Sequence, residues 1–471
     1  MSNTAPLERA REMLHGQRAL VLGVAREGTD LLRFLARAGA RVVASDQRPA
    51  DSLGEEARAA SALPGVELRA GSAPDPDWLA SLDVVFASPG VPIEHPFLVE
   101  AHARGVRVTS LIELFFELCP APIVGITGSA GKTTTTSLTG DVFRAAGREV
   151  FVGGNIGWPL LGELERIQPS SWVVLELSSF QLEPMRRSPH IAVVTNVTPN
   201  HLDRHRTMEV YWAAKGQILN HQEPDDWAIL NADDPWSARY EAVGRTRRFS
   251  LEHPVQGAFQ AGDLLVVEGE TLVRAHEVPV PGRHNLANVL ASALACRAAG
   301  IPLDAIRSAV TAFHGVPHRL QVVAERHGVR FVDDSIATAP ERSMAALHAL
   351  QEPVVLIAGG RDKHLPMEDW ARLIQRRARH VVLLGEMSGL IAEALQHVAP
   401  EFNAVSCAES MEEAVQQAAE AARPGDVVLL SPGGTSFDRY RDFEERGDHF
   451  STVVRGLDPT DPPHGSTREE R

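Results

Sequence analysis

The sequence predicts an α/β protein of three domains: a Rossmann-like N-terminal domain, a central P-loop ATPase-type domain with a mostly parallel sheet, and a Rossmann-like C-terminal domain. Three observations predict it. Short β-branched runs alternate with helical patterns through most of the chain, as in parallel α/β architecture. Two buried-strand runs, ALVLGVA (19–25) and IVGITG (123–128), each lead into a glycine turn. The 471 residues, 44% apolar and 23% charged, have the balance of a globular protein with room for several cores.

The first domain, residues 1–118, opens with the strand at 19–25 and a helical TDLLRFLARAG (29–39), then strands at RVVASD (41–46), VVFASPG (84–90) and VRVTS (106–110). The run CPAP (119–122) breaks the chain, and IVGITG starts the central domain, residues 119–315. The third domain, residues 316–457, carries strands at VRFVDD (329–334), VVLIAGG (354–360), VVLLG (381–385) and VVLLS (427–431). The polar, proline-rich stretch 458–471 is expected to be a disordered tail.

Charge and composition narrow the function. With 46 basic and 61 acidic residues the net charge is −15, which argues against a general binder of nucleic acid or anionic membrane. Cys119, Cys296 and Cys407 are odd in number and far apart, so neither a disulfide framework nor a metal knuckle is expected. No run of 18 apolar residues occurs, and the N-terminal segment lacks the apolar core of a signal peptide. A soluble cytoplasmic protein is expected.

The run GITGSAGKTTTT (125–136) carries the first chemistry. The common phosphate loop, GxxxxGK[ST], would place glycine where Ile126 stands; here glycines fall at 125, 128 and 131, followed by Lys132 and Thr133. Such glycines let backbone N–H groups turn toward an anion, and the helix that follows adds its positive dipole end. Lys132 can reach β- and γ-phosphates, and the Thr133 hydroxyl can join a magnesium shell. The bland alternative is a glycine-rich turn before a helix. The preceding apolar strand and the Gly-Lys-Thr triplet favour the nucleotide.

Two further strand ends bear polar groups. WVVLE (172–176) ends in Glu176, which could hold Mg²⁺ at the carboxyl end of a parallel strand beside the loop strand, or simply face solvent. IAVVTNVTPNHLDRH (191–205) brings His201, Asp203 and His205 close in sequence and invites zinc, although no HExxH or cysteine cluster accompanies them. Lys215, in the apolar helical YWAAKGQIL (211–219), reads by spacing alone as a solvated or snorkelling lysine. In the first domain GVAREG (23–28) and Asp46 approximate the dinucleotide fingerprint, with Ala25 in place of the middle glycine. That leaves open a dinucleotide or another uridine- or adenine-containing ligand.

Taken together, the blocks GITGSAGKTT, LELSSFQ (175–181), NVTPNHLDR (196–204), AAKG (213–216), PGRHNLAN (281–288), VPHRLQVV (316–323), DDSIAT (333–338) and SPGGTSFD (431–438) resemble the Mur ligase family of ATP-dependent amide-bond ligases over nearly the whole chain. Within it the likeness is nearest to members that add D-glutamate to UDP-N-acetylmuramoyl-L-alanine in peptidoglycan precursor synthesis.

The resemblance implies roles residue by residue. Gly128, Ser129, Ala130, Gly131, Lys132, Thr133 and Thr134 would bind ATP phosphates, with Asn285 and Asn288 near adenine and Arg319 and Asp334 near the γ-phosphate and ribose. Thr133 and Glu176 would surround one Mg²⁺, and His201 with a carbamylated Lys215 a second; Lys132, His201 and Lys215 would be catalytic. The loop Gly23, Val24, Ala25, Arg26 with Asp46 and the turn Ser88, Pro89, Gly90 would take the UDP-sugar, and Asn155 and Ser178 its muramoyl arm. Thr338, Lys363, Ser436 and Phe443 would hold glutamate. One departure stands out: the family commonly reads DSKATN where this chain has Ile336 and Ala339, so Arg342 or Arg361 would have to compensate.

The implied protein is a monomer acting on small molecules, with no nucleic-acid or membrane partner. Three rivals remain: a superfamily ligase adding another residue, such as a folylpolyglutamate synthetase; an NAD-dependent oxidoreductase built on residues 23–28; and a non-catalytic P-loop regulator.

Overall fold

The computed structural model describes residues 6–155, 160–362 and 365–457. The chain forms two compact units, Met1–Phe313 and His314–Arg471.

The first unit contains two sheets. Strands β1 (Arg18–Leu22), β2 (Arg41–Asp46), β3 (Val66–Ala70), β4 (Val84–Ala87) and β5 (Arg107–Thr109) form a parallel sheet ordered β3-β2-β1-β4-β5. The order reverses between β1 and β4, the position where open α/β sheets leave a ligand crevice at their carboxyl ends. Helix Arg26–Ala38 covers one face with Leu31, Leu32, Phe34 and Leu35, and ends at Gly39 in the left-handed region (φ 79°), whose N–H caps the carbonyls of Leu35 and Ala36.

The second sheet has nine strands: β6 (Ile123–Thr127), β7 (Val150–Gly154), β8 (Trp172–Glu176), β9 (Ile191–Val194), β10 (Trp227–Asn231), β11 (Arg245–Ser250), β12 (Gly257–Ala261), β13 (Leu264–Val267) and β14 (Glu270–Arg274). Their order is β14-β13-β12-β11-β10-β9-β6-β8-β7, parallel from β7 to β12 and antiparallel through β12-β13-β14. β6 is buried at every position and lies between β8 and β9, so the loop after it receives side chains from both neighbours. Helices Lys132–Ala145 and Arg283–Ala298 pack together, joined by a Thr139–Ser292 hydroxyl hydrogen bond of 2.9 Å.

The second unit holds β15 (Gln321–Arg326), β16 (Val329–Asp333), β17 (Val354–Gly359), β18 (Ala378–Leu384), β19 (Val405–Ala408) and β20 (Val427–Gly433), ordered β15-β16-β20-β17-β18-β19. Only the β15–β16 pair is antiparallel. β17 and β20 are buried throughout, and apolar layers lie on both faces, as a parallel sheet requires.

The expected α/β class with mostly parallel sheets is therefore present. The sequence reading named no strand between Trp227 and Arg274, where five occur. Among the described residues no helix is long and apolar enough to cross a membrane.

Candidate active site

β6 ends at Thr127 and helix Lys132–Ala145 starts five residues further on, leaving the four residues Gly128–Gly131 as the loop between them. Gly131 has φ 83°, and a Cβ there would collide with Asn288 Oδ1, so glycine is required twice over. Neighbouring strand ends brace the loop. Ala130 N donates to Asn196 Oδ1 (2.9 Å), Asn196 Nδ2 and Thr195 Oγ1 donate to Ala130 O (3.0 and 2.6 Å), and Ser129 Oγ donates to Thr198 O (2.9 Å). Tyr211 OH lies 3.0 Å from Ser129 Oγ. Sequence analysis gives Thr195, Asn196 and Tyr211 no role; the signal for Thr195 and Asn196 is the polar knot at the end of an apolar strand, whereas Tyr211 sits inside the apolar helix Met208–Gly216.

Glu176, at the carboxyl end of β8, is 2% exposed and accepts from Thr133 Oγ1 (2.8 Å) and Asn155 Nδ2 (2.7 Å). Hydroxyl and carboxylate oxygens converging beside a phosphate loop are the hard donors that Mg²⁺ prefers. Among the described residues no group of three or more His, Cys, Asp or Glu forms a metal cage. That donor set suits an ion that draws its remaining ligands from water and phosphate.

Lys132 Nζ donates to Gly128 O (2.8 Å) and Ser129 O (3.1 Å). Lys215 Nζ donates to the same Gly128 O (2.9 Å) and lies 4.6 Å from the Tyr211 ring centre. Lys215 is 1% exposed, which corrects the solvated and snorkelling readings. Taking an ammonium out of water costs several kcal/mol, more than one carbonyl hydrogen bond returns. Burial, then the Lys132 charge, hold its pKa well below the usual lysine value, against an opposing pull from Glu176.

His201 is exposed, in the left-handed region (φ 54°), with its ring 5.1 Å from Phe180. It precedes the short helix Leu202–His205. His205 is buried instead, 2.9 Å from Ser179 Oγ and 3.2 Å from Glu183 Oε1, and stacks on Phe180. The two histidines thus face different surroundings.

The first-sheet residues meet at the β1/β4 crevice. Ser88 Oγ donates to Gly23 O (2.7 Å). Asp46 accepts from Val24 N (2.9 Å), from Arg48 N (3.0 Å) and from the Arg48 guanidinium (3.0 and 2.9 Å). Burial alone would raise the Asp46 pKa; the Arg48 hydrogen bond and the two backbone donors outweigh it and hold it below the usual range. Arg26 Nη2 donates to Asn155 O (3.2 Å), and Gln181 Nε2 to Glu27 Oε1 (2.7 Å), bringing the Gly23–Arg26 loop to the Glu176 strand end. Ser178 caps the turn that follows, Ser179–Leu182. Asn288 abuts the phosphate loop and donates to Asn285 Oδ1 (3.1 Å).

In the second unit Asp334 follows β16, 4% exposed, accepting from Ser431 Oγ (2.8 Å) and Leu320 N (3.2 Å). Burial lifts its pKa to about 7, against the Ser431 hydrogen bond and the Arg319 charge. His318 Nδ1 is 2.8 Å from Asp333 Oδ2, and its ring is 6.1 Å from that of Phe443. Buried Arg446 ties Ser335 O (2.9 Å) to Gly434 O (3.1 Å), and Gly433 N donates to Ala337 O (2.8 Å). The Asp334–Thr338 and Gly433–Ser436 turns therefore lie together. Ile336 O accepts from Arg342 Nη1 (3.4 Å), while Arg361 makes a two-pronged pair with Glu386 (3.0 Å each). Lys363 lies outside the described residues.

A buried strand, a glycine loop braced by its neighbours, and a hydroxyl–carboxylate pair at the start of the next helix define a P-loop nucleotide-binding protein. Family profiles match in three blocks: the MurD-like N-terminal domain of Mur ligases over residues 17–110, the Mur ligase middle domain over 126–296, and the Mur ligase glutamate ligase domain over 318–434. The chain belongs to the Mur ligase family of ATP-dependent amide-bond ligases. It is 46% identical to a UDP-N-acetylmuramoylalanine–D-glutamate ligase of Symbiobacterium thermophilum, over 94% of this chain and 98% of that one. Ligases of the same name from Pelotomaculum thermopropionicum and Solibacter usitatus are each 42% identical, over 94% and 95% of this chain and 98% and 100% of theirs. The crystal structure of a UDP-N-acetylmuramate–alanine ligase from Thermotoga maritima shares the fold at 19% identity, with a TM-score of 0.51 over 94% of this chain and 100% of that one.

Proposed function

We propose that this chain joins D-glutamate to UDP-N-acetylmuramoyl-L-alanine at the expense of ATP, releasing ADP and phosphate. The observation that carries the proposal is the whole-length likeness to ligases of that name. The glycine loop, Lys132 and the start of the following helix would cradle the ATP phosphates, with Asn285 and Asn288 toward the base. Thr133 and Glu176 would hold a Mg²⁺, which supplies charge neutralisation on the transferring phosphoryl group.

The Gly23–Arg26 loop, Asp46 and the Ser88–Gly90 turn would hold the uridine nucleotide, leaving Asn155 and Ser178 for the muramoyl arm. Its terminal carboxylate attacks the γ-phosphorus, giving an acyl phosphate and ADP. Glutamate's amine then adds to the acyl carbon, and the tetrahedral adduct expels phosphate. Positioning and electrostatics carry most of the rate. Arg319 and Asp334 would serve γ-phosphate and ribose, and Thr338, Lys363, Ser436 and Phe443 the glutamate.

Lys215 supports a further step. Burial disfavours the charged form of this amine, and its neutral form can attack CO₂, forming an N–C bond and releasing a proton, so that a carbamate anion replaces the amine next to Lys132. With His201 it would furnish an anionic oxygen site for a second Mg²⁺. The enzyme is expected to act as a cytoplasmic monomer.

Phosphate release from ATP with UDP-N-acetylmuramoyl-L-alanine, offering D-Glu, L-Glu and L-Ala separately, tests the proposal. Release dependent on D-Glu supports it, and release with L-Ala or L-Glu alone would replace it by a related ligase.

A further inference from the structure

Resting on the reading of the Ser88–Gly90 turn as part of the nucleotide-sugar site, we propose that Arg204 is a positioning residue that sets the affinity for that substrate by clamping the turn onto the His201 loop. Arg204 Nη1 donates to Pro89 O (3.1 Å) and Gly90 O (3.2 Å), and Nη2 to Val91 O (3.3 Å). Three successive carbonyls of one turn thus converge on one guanidinium. The plane of that guanidinium is fixed from the other side, 4.6 Å from the Phe180 ring centre and 3.6 Å from Glu183 Oε2, and the side chain is 19% exposed. A planar five-donor cation can span three carbonyls, a ring face and a carboxylate together; an ammonium is a point charge and cannot.

The segment bearing Arg204 is itself strained. His201 (φ 54°) and Arg206 (φ 66°), neither of them glycine, flank Leu202–His205 in sparsely populated backbone regions. Such strain persists only where surrounding contacts over-determine it. Arg204 supplies contacts toward the first sheet, and His205 supplies them toward Ser179, Glu183 and Tyr211. Glu183 receives both residues on one carboxylate, so the turn and the His201 loop are fixed against a common group. A ligand that orders the turn therefore also orders the loop, and the coupling is reciprocal.

The test compares wild type with Arg204→Ala and Arg204→Lys, measuring both KM values and hydrogen exchange of the 88–91 backbone with and without UDP. Loss of the clamp should raise the KM for the UDP-sugar about tenfold, leave the KM for ATP within about twofold, and speed exchange at 88–91. Lys should recover little of the loss, and it serves as the folded variant if Ala is unstable. An unchanged UDP-sugar KM, an equal rise in both KM values, or unaltered exchange would overturn the clamp. A wild type that shows no turnover, with variants that bind UDP more weakly and exchange faster, would instead remove the ligase reading and leave the clamp standing.

Discussion

Lys132 and Lys215 donate to the same acceptor, the carbonyl oxygen of Gly128, at 2.8 and 2.9 Å. Two ammonium groups on one carbonyl repel, and the repulsion is strong where water is scarce. Lys132 keeps a second acceptor in Ser129 O and is only half-buried, whereas Lys215 is enclosed. Burial, then the Lys132 charge, therefore disfavour the protonated form of Lys215 and hold its pKa well below the usual lysine value, which makes the buried lysine the readier nucleophile.

Lys215→Ala should be inactive, and short-chain carboxylic acids should restore part of the activity by placing an anion in the vacated space. Replacement of the buried chain also opens a cavity beside Tyr211, so a drop of a few degrees in Tm is expected. Steady-state phosphate release with and without acetate or formate checks it. Full activity without added acid would mean that Lys215 serves packing alone.

Lys132→Ala should lower kcat by about a thousandfold while the fold survives, because its contacts are to loop carbonyls rather than to core side chains. The same change removes a like charge from Lys215 and should raise that amine's pKa, so CO₂ dependence should shift to higher pH. Turnover near the wild-type rate would detach Lys132 from the phosphates.

The pH dependence of stability in the second unit should change with Asp334→Asn. The folded pKa is raised from 3.8 to about 7, so between those values the native state binds more protons than the unfolded chain. Stability then falls as pH rises through that window. The loss is at most a few kcal/mol, at roughly 1.4 kcal/mol per unit. His318, whose pKa is raised by Asp333 against the cost of burial, adds stability below its folded pKa that is lost as pH rises through it; that part should survive the substitution. Asparagine can keep both the Leu320 and Ser431 hydrogen bonds. Urea midpoints at pH 5 and pH 8 should show a smaller drop in the variant, and an unchanged drop would place the proton elsewhere.

What the sequence revealed follows from how local each signal is. The Thr133–Glu176 pair was legible because parallel neighbours deliver their carboxyl ends to one edge, and an apolar run ending in an acid marks such an end. The burial of Lys215 was not legible, since its acceptor belongs to a loop 87 residues away and helical spacing says nothing of it. Strand β11 was hidden by its own composition: RTRRFS (245–250) carries three arginines, and strand pairing rather than side-chain pattern makes it a strand. The bracing of the phosphate loop by Thr195 and Asn196 likewise depends on which strand lies next to β6.

The segment expected to meet the incoming amino acid departs from the family pattern at Ile336 and Ala339. Ile336 can offer a carboxylate neither charge nor hydrogen bond, and what reaches that point is the Arg342 guanidinium on the Ile336 carbonyl. Arg361 is engaged by Glu386. A bound glutamate side-chain carboxylate that loses its cation partner is destabilised, so Lys363→Ala should raise the KM for D-Glu by tens-fold, on the order of 2 kcal/mol, and leave that for ATP near its wild-type value. Arg342→Ala should give a smaller rise, since that group is exposed. Ile336→Lys should lower the KM for D-Glu if the position faces the substrate, and should leave L-Glu a poor substrate. Initial rates with both enantiomers across the three variants decide the matter. Preferred turnover of L-Glu, or a D-Glu KM indifferent to Lys363, would assign the cation to another residue, while ATP hydrolysis dependent on UDP-N-acetylmuramoyl-L-alanine would still stand.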